Sequence, residues 1–209
     1  PSLLVPGAGS IIVAAMNYYR DNNPSDNKPV FSRYALGQDY HSVLKEGLHE
    51  LLGFIKEEIP GAGGRVFVDT APVLERAWAV EAGLGWIGRN SMLINREKGS
   101  YIFLGVLVIN SPLEYDRPAL RDYCGSCRKC VDACPTGAIT ENRMIDSNKC
   151  LSYLTIENKG QIPEEYAEKT GRRIFGCDIC QEVCPWNKKA KETGIEEFGP
   201  LPEIIDYTT

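Results

Sequence analysis

The eight cysteines of this 209-residue chain fall into two groups whose spacing suits iron–sulfur chemistry. The first group, residues 124–135, has the spacing C-x2-C-x2-C-x3-C-P that bacterial ferredoxins use to hold [4Fe–4S] clusters. The second group, residues 177–185, repeats the ending C-x2-C-x3-C-P, and a single cysteine precedes it. In two-cluster ferredoxins the cysteine before the proline ligates the other cluster. The spacing therefore predicts two crossed ligand sets: Cys124, Cys127, Cys130 and Cys184 for the first cluster, and Cys134, Cys150, Cys177 and Cys180 for the second.

Two other uses of cysteine fit this spacing less well. Disulfide frameworks belong mainly to small secreted domains, whereas this chain is 209 residues long and shows no signal peptide. Zinc sites pair two C-x2-C motifs some distance apart and do not need a third close cysteine or a trailing Cys-Pro. Two [4Fe–4S] clusters are therefore the prediction.

Composition and charge restrict the class of protein further. A hydrophobic content of 43% and a charged content of 24% are typical of a globular protein, and the longest apolar run, residues 101–109, is too short to cross a bilayer. The net charge of −5 provides no overall basic field for nucleic acid, so an RNA site would be a local patch. We expect a monomeric cytoplasmic protein, since oxygen-sensitive clusters suit a reducing compartment, and we expect no membrane partner.

Hydrophobic patterning predicts an α+β fold, in which a mixed sheet-and-helix domain precedes the cysteines. Strands are expected at residues 10–17, 65–68, 91–95 and 101–109. A helix is expected from an Asp39 N-cap to about residue 58. Its apolar stripe consists of Val43, Leu44, Leu48, Leu51, Leu52 and Ile55. Residues 20–30 contain little that could pack and are expected to form a surface loop.

Asp69 ends the strand at residues 65–68 and begins a strand-to-helix turn. A carboxyl group in such a turn often projects into a pocket, where desolvation raises its pKa toward the range of a general acid. The alternative is that Asp69 caps a helix that runs from Pro72 to a Gly83 cap. The residues alone leave both interpretations open.

A glycine-rich stretch, residues 83–88, matches G-x-G-x-x-G. In dinucleotide-binding proteins a strand precedes this motif and a helix follows it, whereas here a helix precedes and a strand follows. Closely packed backbone is therefore the expected reason for these glycines.

The chain divides by composition into three parts. Residues 1–118 are expected to form the mixed domain, residues 119–190 a bacterial-ferredoxin-like domain, and residues 191–209 an exit segment toward a further C-terminal region. Because the chain opens at Pro1 and directly on a strand-like segment, we expect its first domain to be truncated. A bare ferredoxin needs no such first domain. Either this domain holds a second redox cofactor that the clusters supply with electrons, or it only docks a partner of an electron-transfer module.

Five segments resemble signature segments of epoxyqueuosine reductases: RYALGQDYH (33–41), DTAPVLER (69–76), GLGWIGRNS (83–91), CLSYLTI (150–156) and GCDICQEVCPWN (176–187). The resemblance implies a cobalamin enzyme that reduces epoxyqueuosine to queuosine at the wobble position of tRNA. Cob(I)alamin would remove the epoxide oxygen with two electrons, which an external low-potential donor supplies through the clusters. Many family members are longer at the N-terminus, and many carry a C-terminal helical-repeat domain that grips tRNA. The family's cobalamin domain is related in kind to that of reductive dehalogenases, so a reductase of that type on a small molecule stays an alternative.

The resemblance also assigns roles to individual residues. Asp69 would donate the proton to the oxygen that leaves the epoxide carbon, and would lie at the cobalamin. The other expected cobalamin contacts, many through backbone groups, are Arg33, Tyr34, Ser91, Leu93, Gly105, Ser152 and Asp178. Tyr40 and His41 would either flank the modified base or pack at the start of a helix.

The cobalamin is expected to be base-off, with no histidine ligand from this chain. Cobalamin proteins that place a histidine below cobalt use D-x-H-x-x-G, and residues 39–44 begin this pattern but end in Leu44. Loss of the lower ligand eases reduction to cob(I)alamin by low-potential clusters.

A local basic rim near the second cysteine group is the expected site of tRNA. Its residues are Lys159, Arg172, Arg173, Lys188, Lys189 and Lys191. Ordinary solvated surface charge is the alternative.

Overall fold

A three-stranded antiparallel sheet organises the first part of the chain. In the computed structural model, which describes residues 1–22, 24, 25, 27–119 and 121–208, the strand order is β1–β6–β3. β1 spans Ser10–Asn17, as predicted, and β3 (Gly64–Phe67) and β6 (Ile102–Ile109) each lie within one residue of their predicted bounds. The central strand β6 pairs along its length with β1 and has five consecutive buried residues at its end. The β-branched runs in these strands are well suited to a half-buried or buried pleated surface.

Helix α1 (Tyr40–Glu58) covers one face of this sheet. It begins after Asp39, whose Oδ1 accepts a hydrogen bond from the backbone N–H of His41 at 2.9 Å, and this confirms the predicted N-cap. The predicted apolar stripe faces the sheet. Leu44, Leu48, Leu52 and Ile55 are buried, and Val43 and Leu51 pack against the same core. A Cβ atom at Gly105 of β6 would lie 2.7 Å from Leu48 Cδ1, so the helix approaches the strand more closely than a side chain there allows.

The second helix, α2 (Glu75–Glu81), begins three residues later than predicted. Residues 69–74 form a succession of tight turns, with bonds from the Thr70 N–H to the Val68 carbonyl and from the Val73 N–H to the Ala71 carbonyl. The N-cap is Leu74, which makes no side-chain capping bond. The interpretation of Asp69 as the helix cap is therefore wrong, because the turns separate it from the helix.

The glycine-rich stretch packs backbone against backbone, as predicted. Strand β4 (Trp86–Ile87) lies inside it and pairs antiparallel with β5 (Leu93–Ile94), which is shorter than the strand predicted at residues 91–95. A Cβ atom at Gly85 would lie 2.1 Å from the Ile94 carbonyl oxygen. The glycine is therefore required by close approach and not by a phosphate.

Short helices and one strand make up the part of the chain that contains the cysteines, although only Cys130 and Cys180 lie within helices. These elements are α3 (Lys129–Ala133), α4 (Leu151–Ile156), α5 (Glu164–Thr170), β7 (Arg173–Phe175) and α6 (Ile179–Glu182). β7 pairs in parallel with β2 (Val30–Phe31), and this pairing ties the second cysteine group to the first part of the chain. β2 also ends the predicted loop at residues 20–30, of which 23 and 26 lie outside the described residues.

The last part of the chain returns to the first part. Thr193 and Phe198 are buried, and the Thr193 N–H donates to the Tyr19 carbonyl at 2.8 Å. Helix α7 (Pro202–Thr208) follows, and the end of the predicted exit segment, Thr209, lies outside the described residues. Within the described ranges, no helix combines the length and the apolarity that crossing a bilayer would require.

Candidate active site and cluster-binding cysteines

Four thiols of the first predicted ligand set line one cavity of about 280 Å³: Cys124, Cys127, Cys130 and Cys184. The loop before α3 and the first turn of α3 supply three of them, and the turn after α6 supplies the fourth. Burial raises the pKa of Cys184, and the neighbouring Cys124 and Cys127 thiols raise it further. The indole Nε1 of Trp86 donates to Cys124 Sγ at 3.5 Å. Hydrogen bonds to sulfur tune the potential of a cluster, so this cavity fits one.

Three thiols of the second predicted set also lie together. Burial raises the pKa of Cys177 to about 11, and the Cys150 thiol adds to this effect. Burial also raises the pKa of Cys180, and the Cys177, Cys150 and Asp178 groups raise it further. Cys134 differs: burial opposes its ionisation, but hydrogen bonds from Thr136 and neighbouring backbone N–H groups lower its pKa overall. A thiolate is the form that binds iron, so these bonds prepare Cys134 as a ligand.

A buried ion pair joins the second cysteine group to the first part of the chain. Asp178 follows Cys177 directly, is 6% exposed, and accepts hydrogen bonds from the Ser32 hydroxyl and from the Arg33 N–H at 2.7 Å. Arg33 Nη1 lies 3.3 Å from Asp178 Oδ2 and 2.7 Å from Glu182 Oε1. Burial opposes the positive charge of Arg33, but the hydrogen bond to Glu182 and the nearby carboxylates raise its pKa above the ordinary value. The loop of Cys177 is therefore fixed to the loop that follows β2.

Asp69 lies in a strained turn at the surface. Its φ of +55° is in the left-handed region, which aspartate tolerates better than most residues. The Asp69 N–H donates to Glu75 Oε1 at 2.6 Å, so the first residue of α2 holds the turn. The Asp69 side chain is 64% exposed. In the chain alone the carboxyl group is therefore exposed and does not project into a pocket, because the turn carries it out of the core.

An imidazole links Asp69 to the N-cap of α1. His41 Nε2 lies 3.5 Å from Asp69 Oδ2, and His41 Nδ1 lies 2.7 Å from Asp39 Oδ1. The Tyr40 ring stacks on the imidazole at a centroid distance of 4.0 Å and fixes its plane. When Asp39 Oδ1 accepts a hydrogen bond from the Nδ1–H group, Nε2 is the ring nitrogen left facing Asp69. Asp39, His41 and Asp69 thus form a carboxylate–imidazole–carboxylate chain.

Tyr34 lies between the second cysteine group and Asp69. Its ring centroid is 6.2 Å from that of Phe175 in β7 and 6.4 Å from that of Tyr40. Burial raises the pKa of Tyr34 to about 12, and the charges of Glu157, Asp178 and Asp69 add to this effect. The phenol therefore stays neutral and can donate a hydrogen bond between the two sites.

Six of the residues predicted to contact cobalamin separate into two sets. Arg33, Tyr34 and Asp178 gather beside the second cysteine group, and Ser152 joins them through α4, whose Thr155 Oγ1 accepts from the Gly176 N–H at 2.9 Å. Leu93 and Gly105 have packing roles: Leu93 is 3% exposed in β5, and Gly105 lies under α1.

Ser91 occupies a second strained position close to α2. Its φ is +58°, its hydroxyl donates to the Arg143 carbonyl, and its own carbonyl accepts from Arg76 Nη1. Arg76 follows Glu75 in α2, so Ser91 is tied to the helix that holds the Asp69 turn. Ser91 and Asp69 therefore belong to one connected region.

Two other predictions concern histidine and the basic rim. Leu44, which breaks the histidine-ligand pattern, is 1% exposed in the core, and both ring nitrogens of His41 face carboxylates. In the rim, Arg172 Nη1 donates to the Ser25 and Lys28 carbonyls at 2.9 Å, so Arg172 also has a structural role. Four rim lysines are exposed: Lys159, Lys188, Lys189 and Lys191.

Glu75 is the site residue that the sequence did not reveal. An acidic residue in the first turn of a helix is common, because it complements the helix dipole. Glu75 is important because it accepts a hydrogen bond from the Asp69 N–H, six residues earlier. The sequence could not predict this bond without knowledge of the turns between the two residues.

The fold and the site define an iron–sulfur redox protein in which a two-cluster domain packs on an α+β domain that presents an acid–imidazole pair. Residues 123–187 match the family model for a 4Fe-4S double cluster binding domain, which confirms the predicted two-cluster domain. Residues 1–70 match the model for epoxyqueuosine reductase QueG, DUF1730.

Relatives identify the family. The chain is 52% identical over 206 residues to the epoxyqueuosine reductase of Cyclobacterium marinum, covering 98% of this chain and 66% of the relative. It is 52% identical over 208 residues to that of Leadbetterella byssophila, covering 99% and 68%, and 44% identical over 219 residues to that of Escherichia coli, covering 99% and 57%. The chain belongs to the epoxyqueuosine reductase family, as the resemblance predicted. It spans about two thirds of the length of the first two relatives.

Solved structures of epoxyqueuosine reductases have the same fold as this chain. An epoxyqueuosine reductase bound to an epoxyqueuosine-modified tRNA-Tyr stem loop is 40% identical, with a TM-score of 0.90 over 97% of this chain and 55% of that chain. The Bacillus subtilis enzyme, with its catalytic aspartate loop swung out of the active site, is 38% identical, with a TM-score of 0.86 over 97% and 55%. A reductive dehalogenase is 20% identical, with a TM-score of 0.54 over 90% and 31%, and shares the fold alone.

Proposed function

We propose that this chain carries the catalytic part of an enzyme that reduces epoxyqueuosine to queuosine at the wobble position of tRNA. The net reaction consumes two electrons and two protons, and the epoxide oxygen leaves as water. The observation that carries the proposal is the chain of Asp39, His41 and Asp69 at the surface. The rings of Tyr40, Tyr34 and Phe175 connect this chain to the second cysteine group. A proton source and an electron route thus meet at one place that is open to a large substrate.

The eight cysteines hold two [4Fe–4S] clusters in the crossed sets predicted from the spacing. The shared cavity of the first set supports this assignment, as does the proximity of Cys150, Cys177 and Cys180 in the second. When bound, the clusters carry single electrons to cobalamin, which delivers them as a pair to the epoxide. The domain division at residues 118 and 190 is part of the same proposal.

The residues between the second cysteine group and Asp69 would hold cobalamin. Tyr34 and Ser152 offer side-chain hydroxyls there, whereas Arg33 and Asp178 are satisfied by each other and would contact the cofactor through the backbone. Leu93 and Gly105 have packing roles, so we assign them at most backbone contacts. Both ring nitrogens of His41 face carboxylates, which supports a cofactor that is base-off.

Asp69 protonates the oxygen that leaves the epoxide carbon. Its exposure lets substrate reach the carboxyl group, and the bound cofactor and RNA would supply the desolvation that favours its protonated form. His41 returns a proton to Asp69 after each turnover and is itself held by Asp39. General acid catalysis contributes about 10²–10⁴-fold to a rate.

The RNA lies along the basic rim despite the net charge of −5. The related reductase that holds a modified tRNA stem loop supports tRNA as the substrate. Lysine contacts to phosphates release counterions, so the affinity falls steeply with salt. An affinity that does not change between low and moderate salt would contradict the rim.

The two alternative functions, a reductase of the dehalogenase type and an electron-transfer module, have less support. Likeness to reductive dehalogenases is limited to the fold, at 20% identity. A plain ferredoxin-type electron-transfer module needs neither the carboxylate–imidazole chain nor the family's first domain.

The test is turnover by the chain loaded with clusters and hydroxocobalamin, under anaerobic conditions with dithionite. An anticodon stem loop that contains epoxyqueuosine is the substrate, and nucleoside mass spectrometry measures conversion. We expect queuosine to form in proportion to the cobalamin bound. A chain that binds no cobalamin, or that binds it and forms no queuosine, would reject the proposal.

A further inference from the structure

Basic residues are concentrated around the first cysteine group. Residues 89–98 and 121–130 contain six basic and two acidic residues, although the chain as a whole carries −5. One of the two acids, Asp122, is already paired with Arg143. Both segments line the cavity of the first group, to which they contribute Arg89 and Lys129. The surface over these thiols therefore carries a local positive charge, although the protein as a whole is negatively charged.

Three cations of this surface form no ion pair, whereas Arg128 of the same segment is paired with Asp132 and Glu141. Within the described part of the chain, Arg96, Arg121 and Lys129 are exposed and form no ion pair within 4.0 Å. Arg33 and Arg143, in contrast, each face a carboxylate. Unpaired exposed cations project a field that an anionic partner can meet.

Aromatic rings hold two of these cations next to the thiols. The guanidinium carbons of Arg96 and Arg121 lie 5.1 and 4.8 Å from the centre of the Tyr123 ring. That ring contacts Trp86 at 5.0 Å, and Trp86 in turn donates to Cys124 Sγ. We name the surface formed by Arg89, Arg96, Arg121, Tyr123 and Lys129 the Tyr123 face. Its aromatic centre is Tyr123, which is surrounded by basic side chains next to the first group.

Aromatic side chains connect Asp69 to the second cysteine group and not to the cavity under the Tyr123 face. The second group contacts Arg33 and Tyr34 through Asp178 and Phe175, and Tyr34 leads to Tyr40, His41 and Asp69. The cavity of the first group is lined by none of these residues. The Tyr123 face therefore adjoins the first group, and the second group is the one that the aromatic side chains connect to the Asp69 site.

We propose that the Tyr123 face docks an acidic one-electron carrier protein, of the flavodoxin kind, that supplies the electrons. This inference rests on the proposed function, since that function requires an external donor. Each reduced carrier loses one electron from its flavin to the first cluster, and two such transfers balance the two electrons of epoxide reduction. A negative patch on the carrier complements the unpaired arginines, and electrostatic steering of this type raises association rates by about 10–10³-fold.

The experiment measures reduction of the clusters by stopped-flow absorbance, with a reduced acidic flavodoxin as donor. The variants are Arg121→Glu and Lys129→Glu, and the control is Lys56→Glu, which makes the same charge change at an exposed position near the end of α1. Each protein is also reduced with dithionite, a small donor that needs no docking. Iron content confirms equal loading with clusters.

We expect the ratio of the flavodoxin rate to the dithionite rate to fall about tenfold or more in Arg121→Glu and Lys129→Glu, and to stay at the wild-type value in Lys56→Glu. The wild-type flavodoxin rate should also fall steeply with salt. Equal ratios in all four proteins, or a flavodoxin rate that is independent of salt, would overturn the proposal. So would variants that lose affinity for the RNA stem loop while their flavodoxin ratio is unchanged, because the face would then bind RNA.

Cluster reduction requires neither cobalamin nor RNA. Failure to form queuosine with dithionite therefore rejects the proposed function and not the docking face, and the two failures are distinguishable.

Discussion

At the scale of single residues, the geometry around Asp69 depends on neighbours that the sequence separates. The sequence identified Asp69 and placed Asp39 as the cap of α1, because strand ends and helix starts are local patterns. It did not reveal that Asp39 Oδ1 contacts both the backbone N–H and the ring of His41, because that contact depends on side-chain conformation. Nor did it reveal the exposure of Asp69, which depends on a left-handed turn.

The role of His41 gives a prediction. His41→Phe keeps a ring on Tyr40 but removes both nitrogens, so Asp69 loses its proton partner. We expect turnover to fall about 10²-fold. His49→Phe, at an exposed position of α1, is the matched control and should behave as wild type. Wild-type turnover by His41→Phe would mean that solvent alone delivers the proton.

At the scale of elements, long periodic segments were predictable and short connections were not. β1 and α1 carry a pattern over many residues, and both lie where the sequence placed them. The start of α2 was wrong by three residues, because its turns are fixed by Glu75 and not by a side-chain cap. The cysteine spacing was informative because the iron–sulfur cluster, and not the fold, dictates it.

Glu75 should act as a latch for the Asp69 turn. Glu75→Ala removes the acceptor of the Asp69 N–H, whereas Glu75→Gln retains an oxygen that can accept. We expect turnover to fall about tenfold in the alanine variant, with a loss of about 1 kcal/mol in stability, and to fall less in the glutamine variant. Hydrogen exchange of residues 69–72 reports the turn directly. Equal exchange in both variants would remove the latch from the account.

The crossed ligand sets make a second prediction at this scale. Cys184→Ala should damage the cluster held by Cys124, Cys127 and Cys130, because Cys184 lines the cavity of those three thiols. Iron analysis and EPR of the reduced protein should show the signal of the first cluster altered and that of the second retained. Selective loss of the cluster at Cys177 and Cys180 would show instead that each motif keeps its own last cysteine.

At the scale of the whole molecule, contacts distant in sequence join the two parts. Arg33 and Asp178 are 145 positions apart and carry no local signal, so the sequence could assign them only by resemblance. The structure pairs them in a buried site that fixes the second cysteine group against the first part of the chain. The relation between the electron route and the Asp69 site depends on this pair.

Loss of the pair should therefore destabilise the whole chain. Asp178→Ala leaves Arg33 buried with only Glu182 opposite, and we expect the free energy of unfolding to fall by about 3–5 kcal/mol. Glu182→Ala removes a carboxylate that is 40% exposed and should cost about 1 kcal/mol or less. Urea unfolding of the cluster-loaded proteins measures both. Equal losses in the two variants would mean that Asp178 has no special part in joining the domains.

The most direct test of the central claim is the rate of queuosine formation by Asp69→Asn beside the wild type, with both proteins equally loaded with clusters and cobalamin. Asparagine tolerates the left-handed turn and retains the backbone bond to Glu75, so the shape of the site is kept while the transferable proton is lost. The account predicts a rate about 10²–10⁴-fold below wild type, with reduction of both cofactors unchanged by spectroscopy. A variant with intact cofactors that forms queuosine at nearly the wild-type rate would contradict it.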